Sequence, residues 1–248
     1  MNKRYFLEIA FDGANYFGWQ IQPNHISVQE KISKILSSFY NQPIKIMGCG
    51  RTDTGVHAKQ YFLHFDAPIE RSNIFESIKM MFPVDIQLIN VHEVNQEAHA
   101  RFDATERSYT YHLHQKKNIF KRHYSLGVSL DKLDFDKINE ACAVFLRQTN
   151  YACLCKKNPE LKDYVSKVAV AKWSLSEVEK SAKFSVTANR FLHNQIRRMV
   201  GALLLVGSNK MDVSELESAM ENNLSLKYND TVKANALFLH SIKYPYIL

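Results

Sequence analysis

Arg4-Tyr5-Phe6-Leu7-Glu8-Ile9-Ala10-Phe11 and Ser27-Val28-Gln29-Glu30-Lys31-Ile32-Ser33-Lys34-Ile35-Leu36-Ser37-Ser38-Phe39 are the two runs from which the fold is first read. In the first, Tyr5, Leu7, Ile9 and Phe11 alternate with Phe6, Glu8 and Ala10, the period of two that marks a strand. In the second, Ser27 and Glu30 form an S-x-x-E capping box, each side chain satisfying a free amide at a helix start. Val28, Ile32, Ile35, Leu36 and Phe39 then fall on one helical face. A loop with Gly13, Gly18 and Pro23 joins the two runs.

Working outward, residues 44–47 and 61–65 read as short strands, 73–81 as a helix that stops before Pro83, and 86–94 as a strand. The order β-α-β-β-α-β is the ferredoxin-like split motif. A second copy follows less cleanly. Residues 107–114 are a strand with Arg107, Tyr109, Tyr111 and Leu113 on one face. Phe135, Ile138, Ala141, Cys142, Phe145 and Leu146 mark a helix, and strands follow over 168–175 and 183–188. A helix over about 193–206 buries Ile196, Met199, Val200, Leu203 and Leu204; another begins near Asp212, and 237–243 is the last strand. The expected class is α+β: two ferredoxin-like (RRM-like) halves, 1–104 and 105–248, in one extended mixed or antiparallel sheet with helices on one side and a central cleft.

The 248 residues are 46% hydrophobic and 23% charged, ordinary values for a folded chain. The formal charge of +7 suits a polyanionic partner, because lysines and arginines that neutralise phosphates supply sequence-independent affinity. Cys49, Cys142, Cys153 and Cys155 include no C-x-x-C pair, so buried free thiols are expected rather than a zinc site. The N-terminal residues run directly into a strand without a signal-peptide core, and no apolar run approaches the ~20 residues of a membrane span, so a cytoplasmic protein with no membrane partner is expected.

Between two of the strands lies Gly48-Cys49-Gly50-Arg51-Thr52-Asp53-Thr54-Gly55-Val56-His57-Ala58. Three glycines in eight residues allow backbone angles and close approaches that side chains forbid. Arg51, two residues from Asp53, is a cation that keeps the carboxylate ionised, and an ionised, positioned carboxylate serves as nucleophile or base. The plainer alternative is a turn whose Asp and Thr cap backbone amides. His57 is better read as a hydrogen-bonded loop histidine than as a metal ligand, with no second ligand at suitable spacing.

The string GRTDTGVHA closely resembles the GRTDAGVHA signature of the tRNA pseudouridine synthase A family. Phe11-Asp12-Gly13 through Tyr16, Gly18-Trp19-Gln20, Gln22 and Ser27-Val28-Gln29-Glu30 are similar to that family's opening block. His99-Ala100-Arg101-Phe102-Asp103-Ala104-Thr105, followed by Arg107, Tyr109 and Tyr111, resembles its middle block. Asn189, Phe191-Leu192, Arg197 and Val200-Gly201 resemble its late block. The resemblance implies isomerisation of uridine to pseudouridine in the anticodon arm of tRNA, at positions 38 to 40. It implies no metal or organic cofactor, and a homodimer in which each tRNA touches both subunits.

By that resemblance Asp53, in the first half, is the catalytic aspartate, and the second half completes the cleft. Tyr109 stacks on the extruded uracil, Arg197 pairs with Asp53, and Arg51 fills the gap left by the flipped base. Lys116, Lys117, Lys121 and Arg122 form a basic loop that either contacts phosphates or is a solvated charge run. The chain departs from the family pattern at Lys79, at Ala236-Leu237 and at Leu224-Ser225-Leu226-Lys227, and Arg190 and Arg198 add charge near the arginine helix. Two rivals stand beside the synthase: a non-catalytic RNA-binding or RNA-chaperone protein descended from one, and a small-molecule enzyme on the same scaffold. Against the latter, the sequence has neither a phosphate loop nor a dinucleotide fingerprint.

Overall fold

The computed structural model describes residues 2–68, 74–226 and 231–247. In chain order its main elements are β1 (Asn2–Phe11), α1 (Val28–Tyr40), β2 (Ile46–Gly48), β3 (His57–Pro68), α2 (Ile74–Lys79), β4 (Ile86–Val94), β5 (Glu106–Gln115), β6 (Leu126–Val128), α3 (Phe135–Arg147), β7 (Val168–Ser176), β8 (Ser181–Ala188), α4 (Gln195–Gly207), α5 (Val213–Glu221) and β9 (Leu237–Lys243). The class is α+β, and the chain divides into two compact units: Met1–Thr105 with Phe238–Leu248, and Glu106–Leu237.

In the first unit β4, β1 and β3 pair antiparallel in that order, and β2 lies antiparallel on β3. This 4-1-3-2 order is what a β-α-β-β-α-β chain produces when each helix crosses over to a strand beyond its neighbour. The register sets Tyr5 against Phe65, Leu7 against Leu63 and Ile9 against Tyr61, so apolar side chains meet across the strands and are buried. Phe6, on the opposite face, is buried too: Tyr244 packs edge-on to its ring at 5.4 Å, so the C-terminal segment covers a face that alternation alone leaves half polar.

Helix α1 buries the five residues its periodicity picks out. Its capping box is half made. The Glu30 amide donates to Ser27 Oγ at 3.2 Å, but the Glu30 carboxylate takes Lys34 Nζ at 2.5 Å, one turn on. The last strand, expected with the second half, runs parallel to β3 through His57↔Phe238 and Ala58↔Leu239. Such pairing depends on a distant partner and leaves no local trace in the sequence.

In the second unit β5, β8 and β7 form an antiparallel sheet, the 1-3-2 part of the same motif. Short β6 adds to β5 in parallel, an element too brief for its pattern to show in advance. Helix α3 buries Ile138, Ala141, Cys142, Val144 and Phe145, whereas Leu146, one of the residues that mark this helix in the sequence, is 47% exposed. A Cβ on Gly207 would stand 2.4 Å from Ile138 Cδ1, so α4 approaches α3 closely at its end. Helix α5 has a complete capping box between Asp212 and Glu215. Of the atypical turn at 224–227, Lys227 lies outside the described residues.

Candidate active site

In the first unit, residues 49–56 connect β2 to β3. The Cys49 amide donates to Phe62 O at 2.8 Å, so pairing persists one residue past β2 before the loop turns away. Val56 N–H then bonds Asp53 O at 3.1 Å, with Gly55 at φ +79°, the left-handed angle that the third residue of a type II turn requires. Asp53 thus opens a tight turn, with its residue neither fully buried nor fully exposed, while Arg51 is exposed.

The loop rests on the segment joining β1 to α1. Trp19 N–H donates to Thr52 O at 3.2 Å, and Gly55 N–H to Tyr16 O at 3.4 Å. Gly18 has φ +78°, and a Cβ there would sit 2.3 Å from Thr52 O. The glycines of this stretch are not equivalent. Gly48 is pressed against the Trp19 ring, but a Cβ on Gly50 meets nothing within 4 Å. Beneath them the Trp19 and Tyr61 rings stack at 4.2 Å, and Tyr61 Oη donates to Gly50 O at 2.5 Å.

His57 is the first residue of β3 and is buried. Its Nδ1 lies 3.1 Å from Gly13 N and 2.9 Å from Asp12 Oδ1. One nitrogen cannot accept from the amide and donate to the carboxylate at once, so these are alternatives set by the tautomer. Either way His57 braces the β1–α1 segment, as a loop histidine would. Tyr16 Oη donates to Asp85 Oδ1 at 2.8 Å; burial, then this bond, push its phenol well above the usual tyrosine range. The sequence alone does not assign these braces, although Gly13, Tyr16 and Gly18 fall within the block that resembles the family's opening.

In the second unit, Tyr109 lies on β5 opposite Val186 of β8, with Phe191 edge-on at 5.2 Å, and remains partly accessible. Tyr111, two residues on, is fully buried and donates to Lys233 O at 2.8 Å. Burial raises the Tyr111 phenol, and the charge of Arg197 works against that rise. Arg197, in the first turn of α4, donates from Nε to Val232 O at 2.7 Å and from Nη1 to Asn194 Oδ1 at 3.4 Å, which fixes the guanidinium. Arg51 and Asp53 therefore belong to one unit, Tyr109 and Arg197 to the other.

Two arginines noted as added charge turn out to be structural. Arg190 binds Val165 O at 2.8 Å and Asp163 Oδ1 at 2.5 Å, and Arg198 donates to Cys155 O. All four cysteines are buried thiols, and burial lifts Cys142 to about 12 and Cys153 to about 11. Among the described residues no three His, Cys, Asp or Glu side chains converge as metal ligands would, and no helix is long and apolar enough to cross a membrane.

Comparison with known proteins places the chain in a family. Residues 126–245 match the family model described as tRNA pseudouridine synthase. The tRNA pseudouridine synthase A of Bacteroides fragilis is 38% identical over 98% of this chain and 97% of its own length. The enzymes of that name from Bacteroides thetaiotaomicron and Porphyromonas gingivalis are 37% and 34% identical, each over 98% of this chain and over 91% and 97% of their own lengths. The chain belongs to the tRNA pseudouridine synthase A family.

Proposed function

We propose that this protein isomerises uridine to pseudouridine in the anticodon arm of tRNA, at positions 38, 39 or 40, with Asp53 as the catalytic carboxylate. The observation that carries the proposal is the loop 49–56: a carboxylate presented at a tight turn whose path is set by main-chain contacts, in a chain with full-length relatives named for this activity. The reaction breaks C1′–N1, turns the base and joins C1′ to C5; C5 loses a proton and N1 gains one, so atoms balance without an outside reagent. A carboxylate at the ribose either adds covalently to the sugar or base, or removes the 2′ proton.

Tyr109 stacks on the uracil and its hydroxyl serves the C5 proton. The ring alone contributes ~1–3 kcal/mol of binding. Arg197 binds substrate, and Arg51 occupies the space the flipped base leaves. The first unit carries the catalytic loop, and the second carries Tyr109 and Arg197. The protein works as a homodimer in the cytoplasm, where its tRNA substrate lies, and uses no metal or organic cofactor.

The test is pseudouridine mapping of total RNA from cells with and without this gene, complemented by the parent or by Asp53→Asn. Loss of marks in the anticodon arm, restored only by the parent, is the expected result. Marks that stay unchanged in the deletion, together with purified protein that binds tRNA and forms no product, would leave the non-catalytic RNA-binding reading instead.

A further inference from the structure

The connection from β5 to β6, residues 116–125, is bound by its own side chains. Asn118 Oδ1 accepts from the amides of Phe120 and Lys121 at 3.1 and 3.2 Å. Ser125 Oγ donates to Lys121 O at 2.7 Å; its single proton is thereby used, so it accepts from His114 Nδ1, also at 2.7 Å. Lys121 Nζ reaches Glu179 Oε2 at 3.0 Å, tying the loop to the β7–β8 turn, and Asn235 Nδ2 donates to Arg122 O at 2.9 Å.

A loop fixed at so many points nonetheless shows large apolar groups to solvent: Phe120 is 88% exposed, Ile119 64% and, on the β7–β8 turn, Val178 97%. Together with Lys116, Lys117 and Lys180 they line a shallow groove of about 420 Å³. Glu179 is the carboxylate of the groove, and Lys121 neutralises it. Three lysines therefore leave the groove positive beside an exposed ring.

We infer that this groove holds a second, unpaired nucleotide of the tRNA, its base on Phe120 and its flanking phosphates on Lys116, Lys117 and Lys180. The inference rests on the functional reading above. Lysines that neutralise phosphates and an aromatic that stacks on a base are the two recurrent means of holding single-stranded nucleic acid. A protein partner fits less well, since lysine is depleted from protein interfaces. The nucleotide is not the reacting one: Gln115 at the groove lies six residues along β5 from Tyr109, roughly 20 Å at strand rise. Because the loop is already ordered, binding there loses little conformational freedom.

The experiment measures binding of unmodified tRNA to the full-length protein over a salt series, with single-turnover pseudouridine formation at saturating protein. The variants are Phe120→Ala and the double change Lys116→Gln with Lys117→Gln, each checked for an unchanged melting curve. Phe120→Ala is expected to raise Kd by about fivefold or more. The lysine pair is expected to flatten the slope of log K against log salt by about 2. Neither should change the single-turnover rate at saturation. Affinity and salt slope that match the parent's in both variants would overturn the inference, as would a changed oligomeric state with tRNA binding intact, which would assign the groove to a second copy of the chain. A parent protein that binds tRNA through the groove but forms no pseudouridine would remove the functional reading and leave the groove standing.

Discussion

The loop at 49–56 and the loop at 116–125 are fixed by different mixtures of main-chain and side-chain contacts. The first is held largely by main chain against main chain: Trp19 N–H on Thr52 O, Gly55 N–H on Tyr16 O, and Gly18 too near Thr52 O to carry a side chain, with Tyr61 Oη on Gly50 O beside them. The second is held by the side chains of Asn118, Lys121, Ser125 and His114. A loop shaped largely by its backbone leaves side chains at its tip to chemistry. A loop shaped by side chains keeps some for structure and offers the remainder to a partner; Phe120 is offered, Asn118 is not.

The contrast breaks most sharply at Gly18. Alanine there meets a carbonyl that cannot swing aside and a left-handed φ, so Gly18→Ala should cost about 2–4 kcal/mol and displace Asp53. Thermal unfolding and turnover should fall together. Next is Ser125→Ala, which leaves buried His114 Nδ1 without its acceptor. A loss of about 1–3 kcal/mol is expected, with hydrogen exchange accelerated over 116–125 and turnover on saturating tRNA unchanged.

Acid sharpens the comparison further. Burial, and then the charge of Lys121, hold the His114 imidazole below its ordinary 6.5; in the first unit burial holds His64 down at about 4. A histidine with a depressed folded pKa is neutral in the fold, so its stabilisation is complete above 6.5 and is lost as pH falls below that value. Melting temperatures taken from pH 7 to 4.5 should fall, and His114→Asn should remove part of that slope while His64→Asn removes more. The smallest effect belongs to Gly50→Ala: with open space around it, the change should stay within ~0.5 kcal/mol, and a larger loss would show that Gly50, too, seats the loop.

What could be read in advance follows the range of the forces involved. Helix α1 is written locally, in Val28, Ile32, Ile35, Leu36 and Phe39, and β4 in a run with clear ends, so both emerged where expected. Strand β9 has an equally plain pattern, but the partner it chooses is a tertiary matter, and it lies on β3. Glu30 illustrates competition at short range: two local rules claimed one carboxylate, and Lys34 holds it. At the site, the signature identified the loop, but nothing near Asp53 in sequence shows that Gly18 carries it, because the contact spans 34 positions of chain (52 minus 18). The groove at Phe120 was legible only as a cluster of lysines. Which of them are spent within the fold, as Lys121 is on Glu179, is set by contacts between residues far apart in the chain.

The central claim is that Asp53 drives the isomerisation. Joining C1′ to C5 expels the hydrogen on C5, so tRNA transcribed with tritium at C5 of uridine reports each turnover as tritium released to water. The parent protein should release it from the anticodon arm. Asp53→Asn, which keeps the shape of the side chain and removes its charge, should bind the same tRNA with unchanged affinity and release tritium at least about 10²-fold more slowly. Release by Asp53→Asn at the parent's rate would contradict the account.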